Sequence, residues 1–220
     1  MQQTLSGAST ANFAEKRVNA IFGTPMLSMV CPDVEALNHE LASLILDAEQ
    51  NNSSVEQSNM GGWQSEKTLQ TWGKPAISQL MALIDVGVYL LMSETIGEEK
   101  VDALEKKWKV AAWANVNRKS NFNGIHYHIG GFWSGVYYVA AELLEDANED
   151  GLILFRNPTL SSIIANTVPA PPALRDLFKA QLAIRPAAGL MLIFPSWLEH
   201  WVTPHSSIHP RISVAFDVMY

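Results

Sequence analysis

Short stretches rich in β-branched and aromatic residues follow one another through the second half of the chain, separated by Gly, Pro, Asn and Asp. Such stretches are typical of β-strands, and the residues between them are typical of turns. Strands in this number and at this spacing predict a jelly roll, or double-stranded β-helix. Eight strands are predicted: Trp108–Asn117, Ile125–Ile129, Gly135–Ala141, Leu152–Phe155, Gln181–Arg185, Leu190–Phe194, His200–Thr203 and Ile212–Met219.

The first half of the chain has helical periodicity. Apolar residues recur at helical spacing after Pro32, with Asp33 expected as the N-cap of a first helix. A second helix is predicted from Pro75 to Ile96, ending at Gly97. We expect a mainly β fold whose N-terminal helices pack on one sheet, with Pro25–Cys31 as an edge strand.

The length of 220 residues suits a single domain with extensions. We expect a flexible N-terminal tail over residues 1–20 and one domain over 21–220. Within that domain, residues 21–105 would form a helical support and residues 106–220 the β-helix core.

Charge and composition exclude several classes of protein. The net charge of −7 argues against binding of duplex nucleic acid, which requires a basic surface. The single cysteine, Cys31, excludes an internal disulfide framework. The most apolar stretches, Ile77–Met92 and Gly189–Leu198, are shorter than the ~18 residues of a membrane span. We therefore expect a cytoplasmic protein without a membrane partner; exposed Trp and edge strands would permit a homodimer.

Three histidines form a candidate metal site. At a strand period of two, His126 and His128 leave the same face of one strand. Two neighbouring imidazoles are most useful when both are neutral and share a metal. His200, which follows a strongly apolar predicted strand, is the third candidate ligand. His205 and His209 lie in a loop bounded by prolines and are expected to be solvated.

A candidate anion site follows eleven residues after His200. Arg211 and Ser213 share one face of the last predicted strand, whose intervening residues are apolar. A guanidinium directed into a barrel requires an anion, and with a hydroxyl it forms a good receptor for a carboxylate. The alternative is that Arg211 pairs with an internal acid such as Asp217.

The set His126-x-His128, His200 and Arg211-x-Ser213 resembles the signature of the Fe(II)- and 2-oxoglutarate-dependent oxygenases. The segment Ser134–Val139 and the segment Phe194–His200 are similar to a branch of small oxygenases in this superfamily, as is the loop Gly61–Ser65. The resemblance covers most of the chain after about Phe22.

The resemblance implies a double-stranded β-helix, with His126, His128 and His200 as ligands of Fe(II). It implies that Arg211 and Ser213 bind the far carboxylate of the co-substrate 2-oxoglutarate and that Asn115 touches the co-substrate. The activity would be that of a dioxygenase of the hydroxylase type, which uses O2 to oxidise a small molecule or a peptide side chain.

One position departs from the family pattern. His128 stands where the family has Asp or Glu, and we expect no acidic residue nearby to replace it, so Zn, Ni or Mn are alternatives to Fe(II). Two other functions stay open. A cupin-like metal protein without 2-oxoglutarate would usually have Glu where Phe132 stands. A metal-free binding module would require three coincidentally internal histidines.

Overall fold

The strands of the second half of the chain form as predicted, with shifted ends. The computed structural model describes residues 23–105, 107–142, 150–159, 167, 169, 171–172 and 179–220, so the expected tail over residues 1–20 lies outside the described residues. The strands are β1 (Leu27–Val30), β2 (Asn59–Met60), β3 (Trp63–Gln64), β4 (Lys109–Asn117), β5 (Phe122–His126), β6 (Trp133–Ala140), β7 (Ile153–Arg156), β8 (Gln181–Ile184), β9 (Leu190–Pro195), β10 (His200–Val202) and β11 (Arg211–Met219).

Two antiparallel sheets are built from these strands. The larger sheet has the order β1-β9-β6-β11-β4-β3, and the smaller has the order β2-β5-β10-β7-β8. Their inner faces share an apolar cluster, in which the rings of Phe155 on β7 and Phe194 on β9 lie 4.8 Å apart. The expected edge strand is β1, which pairs only with β9 among the described strands.

Three helices are described: α1 (Glu35–Asn51), α2 (Pro75–Ile96) and α3 (Glu98–Asp102). α1 contacts β4 and β6, and α2 contacts β1 and β9, so both cover the outer face of the larger sheet as predicted. Leu41, Ile45, Ile84 and Val88 are fully buried in this layer. Burial of each such side chain stabilises the fold by roughly 1.5–3 kcal/mol.

The last strand shows how the sequence sorts residues between the two layers. Ile212, Val214, Phe216 and Val218 belong to the core under the helices. Because side chains alternate along a strand, residues 211, 213, 215 and 217 point to the space between the sheets. The alternation places the polar residues of β11 inside the protein.

α2 has the length and composition of a membrane span. Its most apolar 18-residue window has a mean hydropathy of 1.6, and 44% of that window is buried inside the protein. The helix as a whole is longer than the apolar stretch Ile77–Met92 considered above. A helix that packs one face on a sheet meets the same criteria of length and composition, so the finding is weak evidence for a membrane.

Two local predictions were wrong. Asp33 does not cap α1: it has a φ of 53°, the N-cap is Val34, and no side chain bonds the helix end. A residue in the left-handed region turns the chain before the helix starts, which moves the cap by one position. The strand predicted over Ile125–Ile129 is β5, which ends at His126; His128 follows it, with its backbone N–H bonded to the carbonyl of Ser196.

Candidate metal and co-substrate site

Three imidazoles converge between the sheets. His126 at the end of β5 is the antiparallel partner of His200 at the start of β10, and His128 lies two residues further along. Their ligand atoms all lie within 4.8 Å of one another, and the rings of His126 and His200 are 4.3 Å apart. The structure thus brings the three predicted ligands together at one point.

Backbone carbonyls orient two of the three rings. The Nδ1 atom of His126 lies 2.7 Å from the carbonyl oxygen of Gly124, and Nδ1 of His200 lies 2.8 Å from that of Leu198. A carbonyl only accepts, so Nδ1 carries the proton in both rings and Nε2 keeps its lone pair. The lone pair of Nε2 is what a metal ion requires.

A carboxylate orients the third ring. The Nδ1 atom of His128 lies 2.5 Å from Oδ1 of Asp217 on β11. The same carboxylate accepts hydrogen bonds from Ser134 Oγ at 2.8 Å and from Lys67 Nζ at 2.7 Å. The prediction that no acid lies near His128 was wrong, because the carboxylate comes from a distant strand.

Burial favours the neutral form of His126 and His200. It lowers the pKa of His126, and burial together with the neighbouring His126 lowers the pKa of His200 to about 3. Burial alone would raise the pKa of Asp217, but the hydrogen bonds from His128, Lys67 and Ser134 outweigh it and lower that pKa. Neutral imidazoles beside an ionised carboxylate suit a divalent cation.

The predicted anion receptor lies in the same cavity. Arg211 and Ser213 are each 2% exposed, and Nη1 of Arg211 donates a hydrogen bond to Ser213 Oγ at 3.4 Å. The guanidinium carbon stands 4.9 Å from the ring centre of Tyr138. The Nε of Arg211 and the hydroxyl of Tyr138 are buried with no hydrogen-bond partner among the described residues. A buried cation with unused donors is costly unless an anion binds there.

The alternative pairing of Arg211 is not seen. Asp217 bonds His128 and Lys67, at the other end of β11 from Arg211. Burial raises the pKa of Tyr138, so its hydroxyl stays protonated and remains a donor. Arg211, Ser213 and Tyr138 therefore offer a set of donors suited to a carboxylate.

Asn115 completes the wall of the cavity. It lies opposite Ser213 in the register of β4 and β11, and it is buried. The cavity measures about 590 Å³, and its lining includes all six predicted site residues. No acidic residue is among the described residues that line it.

The residues present fit a divalent metal with a chelating acid. The three imidazole nitrogens would hold one side of a metal ion and leave other positions open, as catalytic metal sites require. The buried donors of Arg211 and Tyr138 open on the same cavity as the histidines and suit a dicarboxylate.

Sequence reasoning missed Asp217, Lys67, Ser134 and the role of Tyr138. Asp217 lies on the same face of β11 as Arg211 and was therefore expected to be internal, but as a partner of Arg211 and not of His128. The facing of Tyr137 and Tyr138 could not be predicted. The structure directs Tyr137 to the helices, where its hydroxyl donates to Asn38 Oδ1 at 2.7 Å.

One histidine outside the site was also wrongly interpreted. His205, expected to be solvated, is 1% exposed. Its Nδ1 lies 3.2 Å from Oδ1 of Asp150, and its Nε2 bonds the carbonyl of His209. This buried pair ties two loops together away from the three histidines.

Comparison with known proteins finds a family match in the second half of the chain. A family model described as "Putative 2OG-Fe(II) oxygenase" matches residues 111–217, which include all six predicted site residues. No curated protein matches the chain.

Solved structures share the fold at low sequence identity. A Pseudomonas putida prolyl-4-hydroxylase matches with a TM-score of 0.61 and 14% identity, over 89% of this chain and 92% of that chain. A Trichoplax adhaerens prolyl hydroxylase, in complex with a hypoxia inducible factor peptide, gives 0.59 and 13%, over 89% and 83%. HygX from Streptomyces hygroscopicus, with nickel and 2-oxoglutarate bound, gives 0.56 and 13%, also over 89% and 83%.

These likenesses confirm the predicted double-stranded β-helix with helices on one sheet. The family match supplies what the fold alone cannot, because one fold hosts many functions. Residues 111–217 of the chain match the "Putative 2OG-Fe(II) oxygenase" family, and the described fold is shared with solved structures of 2OG-Fe(II) oxygenases.

Proposed function

We propose that the protein binds Fe(II) through His126, His128 and His200 and couples the oxidative decarboxylation of 2-oxoglutarate to the hydroxylation of a substrate. One observation carries the proposal: three metal-competent imidazoles and a buried guanidinium with an unused donor open on the same cavity. The bound iron would supply the activation of O2. The protein's residues orient the reactants and exclude water.

Each residue of the anion receptor has a defined task. Arg211 neutralises the 5-carboxylate of 2-oxoglutarate, while Ser213 and Tyr138 donate hydrogen bonds to it. Asn115, opposite Ser213, contacts the co-substrate from the neighbouring strand. Phe194 and Val136 line the same cavity and reduce the access of water to the metal.

The mouth of the cavity indicates the chemistry of the substrate. Its exposed apolar side chains are Met60, Ile125, Tyr127 and Ile129. With no acidic residue among the described lining residues, a cationic group would find no counterion there. We therefore expect the oxidised part of the substrate to be uncharged or anionic.

Both a small molecule and a peptide side chain fit this description. Among the similar structures, the Trichoplax enzyme is in complex with a peptide and HygX is bound to hygromycin B. The net charge of −7 supports the proposal that duplex nucleic acid is not a partner.

Calorimetric titration of 2-oxoglutarate into nickel-loaded protein tests the receptor. We expect Arg211→Ala to weaken binding by about 2–5 kcal/mol, because truncating one partner of a buried charge pair leaves the other unpaired. That is a loss of roughly 30- to several-thousand-fold. Arg118→Ala is the matched control, since Arg118 is half-exposed and pairs with Glu49 on the surface.

The same titration separates the competing function. Nickel binding without 2-oxoglutarate binding in the wild type would contradict the proposal and support a cupin-like metal protein. Equal 2-oxoglutarate affinity in wild type and Arg211→Ala would refute the assignment of Arg211.

A further inference from the structure

Asp217 is a buried carboxylate beside the candidate metal site. It is 4% exposed and is not among the residues that line the cavity, so it has no direct path to a bound ion. Oδ1 accepts from His128 and Ser134, and Oδ2 accepts from Lys67. Its two oxygens are therefore held by three donors, of which one is a candidate metal ligand.

The surroundings fix the position of this carboxylate. Ser134 is fully buried, and its hydroxyl also lies 2.8 Å from that of Ser196. Gly131 packs so closely that an added Cβ would lie 2.6 Å from Ser196 Oγ and 3.4 Å from the Cβ of Asp217. The carboxylate thus has little freedom to leave His128.

We propose that Asp217 is a positioning residue of the metal centre: it fixes the tautomer and orientation of His128 and supplies, through that ring, the negative charge that three histidine ligands lack. Lys67 is the counter-cation that offsets part of this charge. The inference rests on the proposed function in one respect, namely that the three histidines bind a metal.

Removal of Asp217 and removal of Lys67 should change the metal affinity in opposite directions. Carboxylates that hold metal-ligating histidines typically change metal affinity by about 10- to 100-fold when they are lost. Removing Lys67 leaves the charge of Asp217 unopposed and should strengthen metal binding. Its side chain is 48% exposed, so solvent screens it and we expect a gain of only about two- to fivefold.

Competition with a chromophoric chelator measures the affinity for Co(II) of the full-length protein. We expect Asp217→Asn to bind roughly 10- to 100-fold more weakly than the wild type. Lys67→Met should bind as tightly as the wild type or more tightly. Asp150→Asn is the matched control, because it also removes a buried carboxylate from a histidine, His205, away from the site.

A second readout needs no metal. Nitrogen-15 NMR of the metal-free wild type should show His128 as the Nδ1–H tautomer, since the carboxylate accepts from that nitrogen. An Nε2–H tautomer would overturn the inference. This measurement decides the question if Asp217→Asn fails to fold.

The outcomes separate the inference from the proposed function. If the wild type binds no Co(II), the proposed function fails and the inference fails with it. If the wild type binds but Asp217→Asn binds equally well, only the inference fails. Equal losses in Asp217→Asn, Lys67→Met and Asp150→Asn would indicate general structural damage and would also overturn it.

Discussion

The adjacent tyrosines Tyr137 and Tyr138 provide a paired test of how β6 divides the protein into a helical side and a cavity side. Tyr138→Phe removes a buried hydroxyl that has no hydrogen-bond partner in the described part of the chain. An unsatisfied buried polar group costs about 1–3 kcal/mol, so the metal-free variant should be as stable as the wild type or more stable by up to that amount. Tyr137→Phe removes the 2.7 Å bond to Asn38 and should destabilise the fold by about 0.5–1.5 kcal/mol.

Binding of 2-oxoglutarate should show the reverse order: Tyr138→Phe should lose affinity, and Tyr137→Phe should not. A hydrogen bond to a charged group contributes about 1.5–3 kcal/mol, so Tyr138→Phe should weaken 2-oxoglutarate binding roughly 10- to 150-fold. Tyr137→Phe should leave that affinity unchanged. Urea denaturation of the metal-free protein and calorimetry of the nickel-loaded protein measure the two effects. If Tyr138→Phe destabilises the fold and binds 2-oxoglutarate normally, the reasoning is refuted.

Three further predictions concern pH, packing and metal removal. Because the pKa of His200 is lowered to about 3, the folded metal-free protein binds fewer protons than the unfolded chain below about pH 6.5. The metal-free protein should therefore lose stability as the pH falls, by about 2 kcal/mol at pH 5, and His200→Gln should flatten this dependence in urea titrations. Gly135→Ala would place a Cβ 2.2 Å from the Phe216 ring and 2.6 Å from the Leu192 carbonyl oxygen. Denaturant titration should therefore show a loss of about 1–3 kcal/mol in the free energy of unfolding. Gly23→Ala is the control and should show no loss, because the space around Gly23 is open. Chelation of a saturating metal should lower the melting temperature by about 5–10 °C, and His200→Ala should abolish that shift.

The predicted site depends on which side chains share one face of a strand, and residue spacing in the sequence predicts this directly. Period-two spacing placed His126 with His128 and Arg211 with Ser213, and the structure confirms that each pair shares a face or a cavity wall. The resemblance added Asn115 and supported His200 as the third ligand, because no local pattern links either residue to His126 and His128. The strands of the second half could also be predicted from the sequence, because short apolar strands between turn residues are a local pattern.

What the sequence could not supply is the register between strands. Asp217 is 89 residues from His128, and they meet only because β11 pairs with β6 at Ser134. A search for acids near position 128 along the sequence could not find it. His205 was misjudged for a similar reason, since its partner Asp150 comes from another loop.

Anaerobic titration of Fe(II)-loaded protein with 2-oxoglutarate is the most direct test of the central claim. If metal and co-substrate share one site, a metal-to-ligand charge-transfer band should appear in the visible spectrum in the wild type and in Arg118→Ala. It should be lost in His200→Ala and, at the same concentration, in Arg211→Ala. Iron that binds without producing the band in the wild type would contradict the account.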